Sequence, residues 1–278
     1  MIIWLASYPK SGNTLLRSIL ATYFFSVDGS LKFEYLYKIE QFPSIHHFEN
    51  LGIDLSNDKE VFKNFIEAQK LINKEKNKIK FIKTHSSLSK INNCNFTDLD
   101  NTLGAIYVVR DPRNVVKSFA HHNNLNTDEA TNAMTDQTRW LVKTDKVCKT
   151  FLSSWNVNYN SWKQLNNKVL FIKYEDLVEK KKTTLIKIFK FIKNLGMKDL
   201  QLDMIKLNKV IKSTEFNAMQ DLEKIEGFQE GVIDSKTKIR KIFFKFGPKN
   251  NWKKNLDNKN RKIIEKKFNK EIVELGYL

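Results

Sequence analysis

Apolar residues fall into short, unbroken runs that alternate with longer amphipathic stretches. Ile2 to Ala6 reads as a buried strand, followed by a turn and then a helix over about 13–25, where apolar residues recur at helical spacing. Residues 79–84 and 104–109 read as two further strands, the latter the most continuously apolar, and 169–174 as a fourth. Residues 58–76 place Val61, Phe62, Phe65, Ile66 and Leu71 at helical spacing, and 115–123 continues as helix. The pattern over 138–165 predicts one long helix carrying Trp140, Trp155 and Trp162. Residues 181–194 predict a helix with a Lys-rich solvent face, stopped by Gly196. The stretch 33–50 is aromatic and irregular. The last third is basic and mostly helical, with breaks near Gly227, Gly231 and Gly247-Pro248.

Uniformly apolar strands alternating with helices argue for an α/β fold whose central parallel sheet is covered by helices on both faces. No internal repeat or linker divides the chain, so 1–278 is expected to be a single domain. In such sheets ligands bind beyond the carboxyl ends of the strands, which makes the residues just after each strand the ones to examine.

Composition narrows the class. The 278 residues are 41% hydrophobic, 28% charged and 12% aromatic, enough apolar material for a core, which excludes wholesale disorder. No apolar run approaches the ~18 residues of a membrane span. Met1-Ile2-Ile3-Trp4-Leu5 offers neither a basic n-region nor a cleavage site, so a cytoplasmic location is expected. Cys94 and Cys148 form no disulfide-framework or metal-ligand pattern.

The formal charge of +17 suggests an anionic ligand without choosing among RNA, acidic glycan and phosphorylated cofactor. Most of the excess is Lys in a chain crowded with Asn and Ile, a bias that an A/T-rich coding sequence also produces. Only six residues are Arg, and two of them stand three apart in Arg110-Asp111-Pro112-Arg113, directly after the third strand.

The first strand runs into Ser7-Tyr8-Pro9-Lys10-Ser11-Gly12-Asn13-Thr14 and then a helix. A Gly-containing strand–turn–helix gathers free N–H groups and the helix dipole at one point, and Lys10 adds a full charge; a plain tight turn with a solvated Lys is the other reading. Lys10 precedes Gly12, so this is not a Walker A loop. Lys83-Thr84-His85 follows the second strand, placing a His as a candidate general base, although a lone His is more often structural. In the segment 110–118, Asp111 and Pro112 suit a helix start, while Arg110 has no such role and its guanidinium matches phosphate. Ser118 lies two helical turns further on. Near the end, Lys245-Phe246-Gly247-Pro248 through Trp252-Lys253 is either a phosphate contact or a surface loop with a packed Trp.

Together and in this order, these segments resemble the sulfotransferases that use 3′-phosphoadenosine 5′-phosphosulfate (PAPS) as donor and release 3′-phosphoadenosine 5′-phosphate (PAP). Tyr8 to Thr14 resembles the 5′-phosphosulfate loop Y-P-K-S-G-T-T-W, and Arg110 to Ser118 the 3′-phosphate segment with its spacing of eight intact. Phe81 to His85 resembles the K-T-H stretch that holds the catalytic base, and Lys173 to Leu177 matches K-Y-E-D-L. Ser154-Trp155 through Trp162 resembles an S-W…W helix, and Thr214, Phe216 and Met219 fit a T-x-F-x-x-M stretch near the adenine. The match covers about 1–256, leaving 257–278 as a basic C-terminal helix. Leu15 replaces an adenine-stacking Trp, the R-K-G-x-x-G-D-W-K pattern is only partly kept, and Asp257, Asn258 and Lys262 depart from the dimer motif, so that dimer is not assumed.

The resemblance implies a P-loop-like fold and in-line sulfuryl transfer governed by positioning and charge. Lys10 and the backbone of Ser11, Gly12, Asn13, Thr14 and Leu15 would hold the 5′ end. Arg110, Ser118, Lys245 and Gly247 would hold the 3′-phosphate, and Tyr174, Thr214 and Phe216 would border the nucleoside. His85 would be the base, with Lys10 and Lys83 stabilising charge. No metal is expected. The acceptor is expected to be a hydroxyl- or amine-bearing small molecule or glycan, not a specific nucleic acid. Tyr35, Tyr37, Phe42, His46 and His47 are candidates for lining its pocket, or else for core. Two competing readings are a P-loop kinase or nucleotide-binding protein, which would need Mg²⁺ and a Walker Lys, and a non-catalytic polyanion- or RNA-binding protein.

Overall fold

The computed structural model describes residues 1–74, 78–234 and 237–278. Four parallel strands form the central sheet in the order β2-β1-β5-β8: β1 (Ile2–Ser7), β2 (Lys80–Thr84), β5 (Thr102–Val109) and β8 (Val169–Lys173). All four predicted strands are therefore present. Two short antiparallel pairs lie apart from it, β3 (Lys90–Ile91) with β4 (Cys94–Asn95) and β6 (Trp140–Leu141) with β7 (Thr150–Phe151).

Alternation along the strands feeds two cores, as the expected two-sided burial requires. Ile2, Trp4 and Ala6 of β1 join Ala105, Tyr107 and Val109 of β5 on one face. Ile3 and Leu5 join Ile106 and Val108 on the other. Register pairs Ala6 with Thr84, Ser7 with Val108 and Val109 with Lys173, so the carboxyl ends of the strands, and the loops after them, meet at one edge of the sheet.

Helix α1 (Asn13–Phe25) has the predicted bounds. The predicted helix 58–76 is two, α2 (Asp58–Lys63) and α3 (Phe65–Ile72), because Asn64 leaves the helical region and its side chain bonds back to Glu60 O at 2.9 Å. Glu75 and Lys76, at the end of that prediction, lie outside the described residues. Helix α4 begins earlier than expected, at Pro112 (Pro112–Asn123), and α5 (Thr127–Thr135) follows.

The long helix expected over 138–165 does not form. The β6–β7 pair occupies its first half, with polar residues 143–146 between the strands, and only α6 (Trp155–Ser161) is α-helical before a 3-10 segment over Trp162–Lys168. The three Trp that suggested one helix face instead arrive in one core from a hairpin and two helical turns.

Beyond β8 come α7 (Tyr174–Glu179), α8 (Lys181–Leu195), α9 (Met204–Ser213) and α10 (Phe216–Glu226). The C-terminal segment holds α11 (Trp252–Asn255), α12 (Asn258–Lys267) and α13 (Asn269–Glu274). The single basic helix expected over 257–278 is thus two, broken at Phe268. It is no loose tail, since Ile264, Phe268, Ile272 and Leu275 are buried in the first core. Among the described residues no helix is long and apolar enough to cross a membrane.

Candidate active site

A cavity of about 660 Å³ opens at the carboxyl edge of the sheet. Its walls include Lys10, Gly12, Asn13, Thr14 and Leu15 after β1, Lys83 and His85 at the end of β2, and Arg110 and Ser118 after β5. Tyr174, Thr214, Phe216, Met219 and Gly247 complete the set of predicted residues that reach it. Three loops distant in sequence thus share one cavity.

The loop after β1 is built for an anion. Lys10 (φ 65) and Gly12 (φ 110) both take the left-handed conformation, which turns the backbone back on itself ahead of α1. Gly12 caps α1 without a side-chain cap, and no acidic residue stands in the first turn. The helix therefore presents its positive end to the cavity uncompensated. The Asn13 amide donates to Leu5 O at 2.8 Å, tying the loop to β1. Ser11 departs from expectation: it does not line the cavity, and its N–H closes the turn on Tyr8 O (3.2 Å).

Gly12 is needed for space as well as conformation. An added Cβ would lie 2.6 Å from the Tyr174 ring and 3.3 Å from Val108. Tyr174 in turn stacks on the Arg110 guanidinium, 4.1 Å from the ring centre. Gly12→Ala is accordingly expected to destabilise the fold by about 1–3 kcal/mol through strain, and to weaken PAP binding. Thermal melting and calorimetry check both effects.

Arg110 and Arg113 have separate tasks. Arg110 is buried and lines the cavity; one Nη donates to Gly247 O at 2.8 Å, and its buried Nε has no hydrogen-bond partner among the described residues. Most of its five N–H donors remain for an anion. Arg113 forms a bidentate pair with Asp111, reaches Glu265 on α12 and stacks on Trp252 at 4.1 Å, so it fastens the C-terminal segment. Asn114 adds to that fastening by accepting from Asn250 Nδ2 (2.6 Å) and Trp252 N (2.8 Å).

Lys245 is a correction. It is exposed, its Nζ lies 5.5 Å from the Phe246 ring centre, and it lies outside the cavity lining. The short 3-10 turn Gly247–Lys249 brings Phe246, Gly247 and Lys249 to the cavity in its place. Gly247 (φ 48) packs so closely on Phe216 that a Cβ would lie 2.1 Å from the ring.

At the end of β2, His85 Nδ1 lies 2.8 Å from Ser7 O. A carbonyl only accepts, so Nδ1 carries the ring proton and Nε2 keeps its lone pair. Burial, then the Lys83 charge, pushes the His85 pKa down to about 3. The ring is neutral across the physiological range. Burial likewise pushes Lys10 down to about 7 and Lys83 to about 8. Lys10 Nζ sits 3.5 Å over the Phe243 ring.

The sequence reading missed several lining residues: Gln41, His121, His122, Leu141, Lys181, Phe243 and above all Glu230. Glu230 Oε1 lies 2.5 Å from Arg17 Nη1 and 3.5 Å from Lys83 Nζ. No motif marks it. Lys181 donates to Thr214 O at 3.0 Å and steadies the end of α9.

The suggested acceptor aromatics lie elsewhere. Phe42 is fully buried against Trp4, Phe65 and Phe96, and Tyr35, Tyr37, His46 and His47 do not line the cavity. Glu40, His46 and His47 do bring three potential metal-ligand atoms within 4.8 Å. However, His47 Nδ1 accepts from Ser44 N–H (3.3 Å), which puts the neutral ring's proton on Nε2, where it donates to Glu40 at 2.9 Å. That is the arrangement of a hydrogen-bonded cap.

A parallel α/β sheet with an uncapped helix start, a buried Arg and a neutral imidazole around one cavity has the parts that group transfer from an anionic donor needs. The chain belongs to the sulfotransferase domain family, whose model matches residues 2–276. Solved structures with the same fold include mouse sulfotransferase SULT7A1 complexed with PAP, 20% identical, TM-score 0.60, covering 97% of this chain and 83% of that one. Retinol dehydratase with androsterone and inactive cofactor PAP is 17% identical, TM-score 0.62, covering 98% and 80%. Retinol dehydratase with retinol and PAP is 17% identical, TM-score 0.61, covering 98% and 81%. A search of curated protein sequences found no match. Family membership sets aside the kinase and the non-catalytic readings.

Proposed function

We propose that this sulfotransferase moves the sulfuryl group of PAPS to a hydroxyl of a small-molecule or glycan acceptor in the cytoplasm, with His85 as general base. The observation that carries the reading is the meeting of the loops after β1, β2 and β5 at one cavity. The residues present fit the donor. Arg110 Nε is a buried donor with no hydrogen-bond partner among the described residues, and α1 turns its uncapped positive end toward the cavity beside Lys10. Two unpaired cysteines suit a reducing compartment.

Lys10 and the N-terminal N–H groups of α1 hold the 5′ end of the nucleotide. Arg110, Ser118 and the Gly247 segment hold the 3′-phosphate, and Thr214, Phe216 and Met219 border the base. When bound, PAPS supplies the sulfuryl group and departs as PAP. His85 takes the acceptor's hydroxyl proton on Nε2 as the new O–S bond forms, while Ser7 O keeps the imidazolium oriented through Nδ1–H. Lys10 offsets the charge that develops on the bridging oxygen as it parts from sulfur, and Lys83 offsets the charge on the sulfuryl oxygens. A labelled-sulfate transfer assay from PAPS onto hydroxylated metabolites and sugars tests the reading; PAP binding with no transfer to any acceptor would count against it.

Charge linkage gives a further expected result. Free Lys10 has a pKa of about 7, so above that pH it is mostly neutral and must gain a proton to meet an anion. PAP affinity should therefore fall as pH rises from about 6.5 to 8.5, with proton uptake growing over the same range. Calorimetry in buffers of different ionisation enthalpy measures both.

A further inference from the structure

The cavity holds a carboxylate that sulfuryl transfer does not itself require. Glu230 stands on the segment after α10 and reaches the end of β2, where Lys83 and His85 stand. Its Oε1 is committed to Arg17 and Lys83, whereas among the described residues no hydrogen bond is made to Oε2. The side chain is 24% exposed, within the cavity wall. Burial opposes its ionisation, but the charges of Lys83 and Arg17 overrule that and hold it well below the usual carboxylate range, so it is an anion at every physiological pH.

The surroundings of Glu230 are mixed. Gln41 and His122 offer planar polar groups, whereas Phe119 is fully buried and the Phe243 ring already carries Lys10 Nζ over one face at 3.5 Å. Polar groups beside a carboxylate acceptor suit a substrate that carries several hydroxyls, such as a sugar. A steroid or phenol would leave these polar groups desolvated and unpaired.

We propose that Glu230 selects the acceptor: Oε2 accepts a hydrogen bond from a second hydroxyl of a polyhydroxylated acceptor and, being an acceptor only, turns away acceptors that would set an anionic group against it. The proposal rests on the sulfuryl-transfer reading above and narrows it. It runs against the net charge of +17, which would favour an anionic acceptor. Arg17 and Lys83 balance the carboxylate through Oε1, but Oε2 can only accept, so an anionic group set against it finds no donor there. Selectivity here is a difference between two affinities and includes a repulsive element.

The test uses a matched pair of probes, methyl glucoside and methyl glucuronide, which differ in one CH₂OH against one carboxylate; 2-naphthol is the apolar control. Each is titrated calorimetrically into the full-length protein saturated with PAP. The wild type is expected to bind the glucoside about tenfold or more tightly than the glucuronide, and more tightly than 2-naphthol. Glu230→Gln should bring the ratio of the pair to about one or below, since Lys83 and Arg17 lose their counter-charge. Glu230→Asp should keep the neutral preference. PAP affinity and thermal melting report the fold of each variant, and the wild-type comparison decides the matter even if Glu230→Gln does not fold. A wild type that favours the glucuronide or 2-naphthol overturns the proposal. So does an unchanged ratio in a folded Glu230→Gln, or no binding of any probe up to tens of millimolar. Failure of the wild type to bind PAP is a distinct result that removes the donor reading as well.

Discussion

Replacing His85 with Ala is expected to lower turnover by roughly 10²–10⁴-fold while PAP affinity stays near that of the wild type. The expectation follows from the ring's hydrogen bonding. Nδ1–H is held by Ser7 O at 2.8 Å, so the ring has one tautomer and one free nitrogen. The contact anchors His85 to the end of β1, beside the loop that carries Lys10. Because burial and Lys83 keep the ring neutral, its loss removes a proton acceptor and not a charge. The variant's fold and donor site should therefore survive. Single-turnover sulfuryl transfer and PAP calorimetry on the same preparation separate the two effects. Turnover within a few-fold of wild type would reject His85 as the base.

Replacing Arg110 with Gln is expected to weaken PAP by roughly 30-fold to 5 × 10³-fold, the range set by about 2–5 kcal/mol for truncating one side of a buried charge pair. The side chain is buried, stacked on Tyr174 and pinned to Gly247 O, so its remaining donors are already oriented. Adenosine 5′-phosphate lacks the 3′-phosphate and should bind the variant and the wild type alike. A parallel loss for both nucleotides would place Arg110 elsewhere on the ligand. Equal affinity of the wild type for both would remove its role altogether.

How much of this was legible in the sequence varies with the range of the interaction. Strand and helix patterns are local, and β1, β2, β5, β8 and α1 appear where periodicity puts them. The loop after β1 was readable because its chemistry is local too: Lys10, Gly12 and the start of α1 stand within four residues. The region 138–165 misled because aromatic residues at helical spacing also arise when a hairpin and two helical turns share one core. The C-terminal contact was misassigned by a small distance. Gly247 turns the chain so that Lys245 faces outward while Lys249 faces the cavity.

Arg113 and Glu230 were beyond reach for a different reason. Arg113 stands three residues after Arg110, yet its role depends on Glu265 and Trp252, more than a hundred residues away. Glu230 sits in a turn between Gly227 and Gly231, with no period or motif around it. Its partner Arg17 is 213 positions distant. Only the folded sheet edge brings the two together.

Calorimetric titration of the wild-type protein with PAP, with adenosine 5′-phosphate as the comparison, bears most directly on the shared donor cavity. The expected result is one PAP per chain, bound at least about a hundredfold more tightly than adenosine 5′-phosphate. Equal binding of the two nucleotides, or no binding of PAP, would contradict the assignment of Lys10 and Arg110 to opposite ends of one donor.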